Sequence, residues 1–126
     1  MPDTSSIKQS SLAKDSLSTA SVLFIEYLTS VRRLSSHTVA AYQADLNHFC
    51  QYCETSERQT LSSIDGEWIR QYTARLHRQG LAPKSIQRKL SCIRSFFNFT
   101  NQHIDGQCLA GDHNPADGIR APKANK

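Results

Sequence analysis

The 126-residue sequence has no run near the ~20 consecutive apolar residues that span a bilayer. Its longest apolar run, Val22-Leu23-Phe24-Ile25, is stopped by Glu26. Residues 1–21 are rich in Ser and Thr and lack the apolar centre of a secretory signal. Alternating apolar and polar runs of Val, Ile and Tyr are missing, so no strand is expected. No Gly-rich loop is present to cradle a phosphate, and none of the five histidines stands in a motif around a Ser or Cys nucleophile. The chain is also too short for most barrel and doubly wound enzyme folds. Cysteine is sparse, at positions 50, 53, 92 and 108, mostly inside helical patterns. A small secreted domain usually carries more, so reduced thiols and a soluble, cytoplasmic protein are the first expectation.

Acidic residues are absent from one long stretch. Residues 68–104 hold Arg70, Arg75, Arg78, Lys84, Arg88, Lys89 and Arg94 with no Asp or Glu, a segment charge of +7 in a chain whose total is +4. Solubility alone is served by mixed signs, so a one-sign stretch of this length points to a polyanionic partner.

What is present reads as helix. The first helical segment starts at Ser16 or Ser18, one of which caps it, and runs to Val31 with Leu17, Phe24, Leu28 and Val31 on one face. Residues 32–35 form a short break. The second starts at Ser36 as N-cap and carries the stripe Val39, Tyr42, Leu46, Phe49 and Cys53 before a polar run at residues 54–56. Asp65 caps the third, whose Trp68, Ile69, Tyr72 and Leu76 face inward and which Gly80 ends. Pro83 fits the first turn of the fourth, with Ile86, Leu90, Ile93, Phe96 and Phe97 as its apolar stripe to about Gln102. An all-α bundle of four to five helices follows, occupying residues 17–113. Residues 1–16 read as a flexible tail and residues 114–126, with Pro115, Gly118 and Pro122, as an extended linker.

Two helix starts are candidate nucleic-acid contacts. On the fourth helix Lys84, Arg88 and Lys89 fall away from the apolar stripe, with Ser85 and Gln87 among them. Such a helix can enter a major groove by its first turns, its amides favouring phosphate and Gln87 or Arg88 reaching base edges. A solvated basic face is the plain alternative. At the second helix, Arg32 and Arg33 precede Ser35, Ser36, His37 and Thr38, hydroxyls and amides suited to phosphate. Simple capping by Ser36 explains that crowding equally well. Cys50-x-x-Cys53 is half of a zinc site at most, because no second C-x-x-C or H-x₃-H exists. No metal, cofactor or catalytic residue is expected.

These residues resemble a family. RRLSSHTVAAYQADLNHFCQYC is similar to the second-helix signature of the tyrosine recombinases (the phage-integrase-like family), and GLAPKSIQRKLSCIRSFFNF to their fourth-helix signature. NPADGIRAPK resembles the joint that leads into their catalytic domain. The Ser-Phe-Phe and Asn-Pro-Ala-x-Gly details are most similar to the Xer branch, with phage and integron integrases as near relatives. The resemblance implies a SAM-like core-binding domain that clamps one face of a double-stranded recombination site. It places Thr38 and Ala41 of the second helix, and Lys84, Ser85, Gln87 and Arg88 of the fourth, near DNA, beside the Arg33 and Ser36 read from the residues themselves. It implies partner recombinase subunits, XerD-like, in a tetramer on DNA, assembled partly through the first helix, and a cytoplasmic, nucleoid-associated protein; the isolated fragment is expected to be monomeric. The family's Tyr nucleophile lies in a later domain; His77-Arg78 does not match its His-x-x-Arg box. A helical adaptor whose basic face meets an acidic protein is the rival reading.

Overall fold

The computed structural model describes residues 16–58, 60–103 and 114–119. Among the described residues four helices carry the fold: α1 (Leu17–Ser30), α2 (Ser36–Thr55), α3 (Gly66–Arg78) and α4 (Pro83–His103). A 3-10 turn, Leu61–Ser63, precedes α3. Among the described residues there is no strand, only an isolated antiparallel bridge between Ser16 and Thr60. The all-α class holds. Of the flexible tail anticipated over residues 1–16, residues 1–15 lie outside the described residues, and Ser16 is placed as the cap of α1.

Local chemistry sets the helix ends. Ser16 caps α1, its Oγ accepting from the Thr19 amide at 3.3 Å. Asp65 caps α3, its Oδ1 accepting from the Trp68 amide at 2.9 Å. The cap of α2 is Ser35, not Ser36. Ser35 has extended backbone and its Oγ accepts from the Thr38 amide at 3.2 Å, while Ser36 is already the first helical residue. Gly80 closes α3 with φ 91°, and the Leu81 amide donates back to the Leu76 carbonyl at 3.1 Å. A Cβ at Gly80 would meet nothing within 4 Å, so the backbone conformation alone asks for glycine.

Val31 departs from the expected inward face. The helix stops at Ser30, the Leu34 amide donates to the Leu28 carbonyl at 3.1 Å, and Leu34 folds onto the core in its place. Val31 is left 67 % exposed. The turn is completed by Arg33 with φ 55°, a left-handed conformation that costs a side-chain-bearing residue about 1 kcal/mol.

One core binds the helices together. Phe24 of α1 meets Tyr42 of α2 and Phe96 and Phe99 of α4 at centroid distances of 6.0, 5.7 and 5.5 Å. Phe49 of α2 packs edge-on against Tyr72 of α3 at 5.1 Å. A fully buried Phe of this kind is worth about 3–5 kcal/mol against truncation to Ala.

The region anticipated as extended linker starts as packed structure. Residues 114–119 form a turn whose Asn114, Ala116 and Ile119 are buried. Asn114 Nδ2 donates to the Arg94 carbonyl and to Asn98 Oδ1, both at 2.9 Å, and Arg94 Nη2 donates to the Ile119 carbonyl at 2.9 Å. The segment looked extended because its Pro and Gly exclude regular helix. Side-chain hydrogen bonding to α4, invisible in that composition, holds it down. Residues 120–126 lie outside the described residues.

Candidate nucleic-acid interface

Helices α2 and α4 meet at a buried carboxylate. Asp45, its side chain 5 % exposed, accepts from Arg88 Nε at 2.9 Å on Oδ2 and from Arg88 Nη2 at 2.9 Å on Oδ1. Lys89 Nζ donates to Oδ1 at 3.0 Å. Burial pushes the Asp45 carboxyl up, but the hydrogen bonds and positive charges of Arg88 and Lys89 outweigh it and hold it below the usual carboxylate range. The carboxylate is therefore ionised at neutral pH and serves as a rivet between two helices.

This rivet places the candidate residues. Thr38, Ala41 and Asp45 follow one another at helical spacing, so Thr38 and Ala41 lie along the same row of α2 and both are exposed. Lys84, Gln87 and Arg88 share the outward row of α4, all exposed. Ser85 instead lies on the row of Lys89 and Cys92, which faces α2, and is half-buried. Ser36 is exposed but stands about half a turn around the helix from Thr38. Arg33 is exposed at the α1–α2 turn. Cys92 bonds the Tyr42 carbonyl while Arg88 bonds Asp45, so α2 and α4 run antiparallel: along their seam Thr38 and Ala41 lie on one side of the rivet and Lys84 on the other.

One expectation about the basic stretch is corrected. Lys89 does not fall away from the core: its side chain is only 12 % exposed, bound to Asp45. Arg70 is paired with Glu67 at 3.0 Å, just outside the acid-free stretch, and Arg94 is committed to the Ile119 carbonyl. The segment charge of +7 therefore overstates the free field. Its uncommitted cations among the described residues are Lys84 and Arg78, with Arg75 lying 5.7 Å over the Tyr52 ring and exposed.

Sequence reasoning missed Asp45 as the organiser of the site. It sits inside the Asp-Leu of the second-helix signature, but its partners are 43 and 44 residues away, beyond any local spacing rule. It also missed His48, one turn further along α2, whose Nδ1 lies 2.7 Å from Tyr72 Oη. Partial burial and the charge of Lys89 lower the His48 pKa, against the pull of Asp45.

The cap of α4 differs in kind from the others. Ala82 accepts the first helical hydrogen bond, from the Ile86 amide at 3.1 Å, and has no side-chain acceptor for the amides that follow. Pro83 has no amide, so the first-turn donors are those of Lys84 and Ser85, groups of the kind an anion takes at a helix start.

The cysteines serve packing. Cys50, Cys53 and Cys92 are free and buried, and burial pushes their thiols up to about 11, 12 and 12. Cys53 Sγ accepts from Trp68 Nε1 at 3.3 Å, inside a stack of Tyr52 on Trp68 at 4.6 Å. Cys108 lies outside the described residues. Among the described residues no three His, Cys, Asp or Glu side chains converge to hold a metal, and no helix is long and apolar enough to cross a membrane.

Comparison with known proteins agrees with this geometry. Residues 22–103, from α1 through the end of α4, match the family described as phage integrase, N-terminal SAM-like domain. The chain is 36% identical over 100 residues to the tyrosine recombinase XerC of Pseudomonas savastanoi pv. phaseolicola, covering 79% of this chain and 32% of that protein. It is 37% identical over 103 residues to the tyrosine recombinase XerC of Stutzerimonas stutzeri, covering 82% of this chain and 33% of that protein. The chain thus spans about a third of the length of the curated relatives it matches. No solved structure matches. With the family match running from within α1 to the end of α4, the chain belongs to the phage-integrase family, as its N-terminal SAM-like domain.

Proposed function

We propose that this domain binds double-stranded DNA as the N-terminal half of a XerC-like recombinase clamp. One observation carries the reading: the Asp45–Arg88 rivet joins α2 and α4 with Arg88, Gln87 and Lys84 exposed to one side along the seam and Ala41 and Thr38 exposed to the other. That seam combines one uncommitted cation, Lys84, the outward edge of Arg88, helix-start amides and short side chains that let a backbone approach. Arg33 and Ser36 extend the surface beyond the seam, and Ser85 supports it from the α2 side.

In this reading the tyrosine chemistry belongs to a catalytic domain following the segment at residues 114–126. There a tyrosine oxygen attacks the scissile phosphate, forms a 3′-phosphotyrosyl link and releases a 5′-hydroxyl, and the reverse step rejoins DNA. This domain supplies grip and register. Resolution of chromosome dimers with a XerD-like partner, in a nucleoid-bound tetramer, is the biological setting the resemblance to XerC suggests. The exposed Val22, Leu23 and Val31 of α1 and its following turn suit the subunit contacts of such a tetramer. The domain alone is monomeric.

The test is fluorescence-anisotropy titration of a short duplex carrying a chromosome-dimer-resolution site, against a scrambled duplex, at two salt concentrations. Binding that weakens steeply with salt and prefers the real site supports the reading. Equal binding of both duplexes moves the assignment to a phage or integron integrase. An acidic protein outcompeting DNA at all salts would favour an adaptor instead.

A further inference from the structure

Arg88 is held in an unusual way for a residue that only neutralises phosphate. Its side chain is 61 % exposed, yet its Nε and Nη2 are both engaged by a carboxylate that is 5 % exposed. A guanidinium has two double-donor edges. Here Asp45 takes the side edge, formed by Nε and one N–H of Nη2. The end edge, formed by Nη1 and the second N–H of Nη2, stays directed outward. Asp45 is itself fixed by Lys89 at 3.0 Å, so the fork is aimed by a buried and doubly bonded group.

Such buttressing is poor design for a phosphate contact. A carboxylate next to the guanidinium weakens its attraction for a polyanion, and phosphate accepts from a wide range of directions. Two parallel donors fixed in one plane fit a pair of acceptors fixed in one plane. In a major groove that pair is O6 and N7 of guanine. We infer that Arg88 reads a guanine through its outward fork and that Asp45 is the positioning residue that makes the reading selective. This deepens the proposed DNA-binding function and rests on it. Lys84, on the same row and without an acid partner, is the non-selective phosphate contact beside it.

The experiment is selection of bound molecules from a duplex library randomised over ~10 base pairs, about one helical turn. It compares the wild-type chain, Arg88→Lys, and Asp45→Asn combined with Lys89→Met, which leaves no buried charge unpaired. The wild type should enrich guanine at one position by about tenfold, the discrimination of one bidentate pair. Arg88→Lys keeps the charge and the salt slope but loses the enrichment, because an ammonium has no fork. The double variant stays folded by thermal melting, keeps salt-dependent binding, and blurs the guanine preference to a few-fold. Salt-dependent binding by the wild type with no guanine enriched overturns the inference. So does enrichment that survives Arg88→Lys, and a double variant as selective as wild type removes the role of Asp45. A wild type that binds no duplex even at low salt removes instead the DNA-binding reading beneath it.

Discussion

Lys89 Nζ sits 3.0 Å from Asp45 Oδ1, with only 12 % of the lysine side chain and 5 % of the carboxylate exposed. The pair ties α4 to α2 from inside the seam, and it makes the fold acid-sensitive. Asp45 is held below the usual carboxylate range when folded, so the unfolded chain binds the proton first. The stabilisation is present above the unfolded value of about 4 and is lost as pH falls through the folded value. Denaturant unfolding followed from pH 6 downward should show a stability loss below pH ~4 that Asp45→Asn reduces. A variant with the same acid limb as wild type would place the acid-sensitive group elsewhere.

His48 gives a second, separate pH window. Its pKa is lowered, first by burial against Tyr72 and then by Lys89, so the neutral ring is the folded form. With the ring proton on Nε2, Tyr72 Oη–H donates to Nδ1. Protonating Nδ1 reverses that bond, Nδ1–H then donating to Tyr72 Oη, so the hydrogen bond survives and the charge is opposed by burial and Lys89. A depressed histidine contributes stability that is full above its unfolded pKa of about 6.5 and fades as pH drops toward the folded value. Tm should therefore fall between pH 7.5 and pH 5.5, and His48→Gln should flatten that slope. An unchanged slope in the variant rejects the assignment.

Arg33 offers a variant that separates binding from folding. Its φ of 55° is a conformation glycine adopts freely. Arg33→Gly should raise stability slightly or leave it unchanged, relief of about 1 kcal/mol being offset by glycine's extra freedom in the unfolded chain. If Arg33 meets phosphate, DNA binding by the same variant weakens several-fold. Equal or higher Tm with weaker binding is the expected pair of results. Undiminished binding would take Arg33 off the DNA surface.

Lys84 should behave as a charge and nothing more. It is exposed and has no acid partner among the described residues. Lys84→Ala is expected to weaken binding to all duplexes alike and to lower the salt slope by about 1. Tm should be unchanged. A sequence-dependent loss would mean that Lys84 touches a base.

The sequence was most legible where structure is decided within one helical turn. The caps at Ser16 and Asp65, the left-handed close at Gly80 and the start at Pro83 each depend on neighbours three or four residues away. The apolar stripes were legible for the same reason, with Val31 the exception because its helix ends one residue sooner. Ser35 and Ser36 carry the same hydroxyl, and only the backbone conformation shows which one caps. What stayed hidden was tertiary pairing. Lys89 reads as a solvent-facing base until Asp45, 44 residues earlier, is seen beneath it. The same holds for the site: the signatures marked both helices, but not the acid within α2 that joins them.

Asn114 is the second tertiary anchor that composition concealed, and its chemistry permits a sharp test. The side chain is 3 % exposed and fully used: Nδ2 donates to the Arg94 carbonyl and Asn98 Oδ1, and Oδ1 accepts from the Ala116 amide, each at 2.9 Å. Asn114→Ala strands buried polar partners, which costs about 1–3 kcal/mol. Asn114→Asp keeps the acceptor for Ala116 but puts a second carboxylate oxygen where the amide faced two acceptors. It should therefore be at least as damaging as Asn114→Ala at neutral pH and recover on acidification, as the protonated acid regains one donor. Denaturation of the three proteins at pH 7 and near pH 5 reads this directly. If both variants stayed within about 0.5 kcal/mol of wild type, as ordinary surface substitutions do, the turn at residues 114–119 would not be held by this side chain. The place of that turn against α4 would then be set by the apolar burial of Ala116 and Ile119 and by the Arg94 bond to the Ile119 carbonyl.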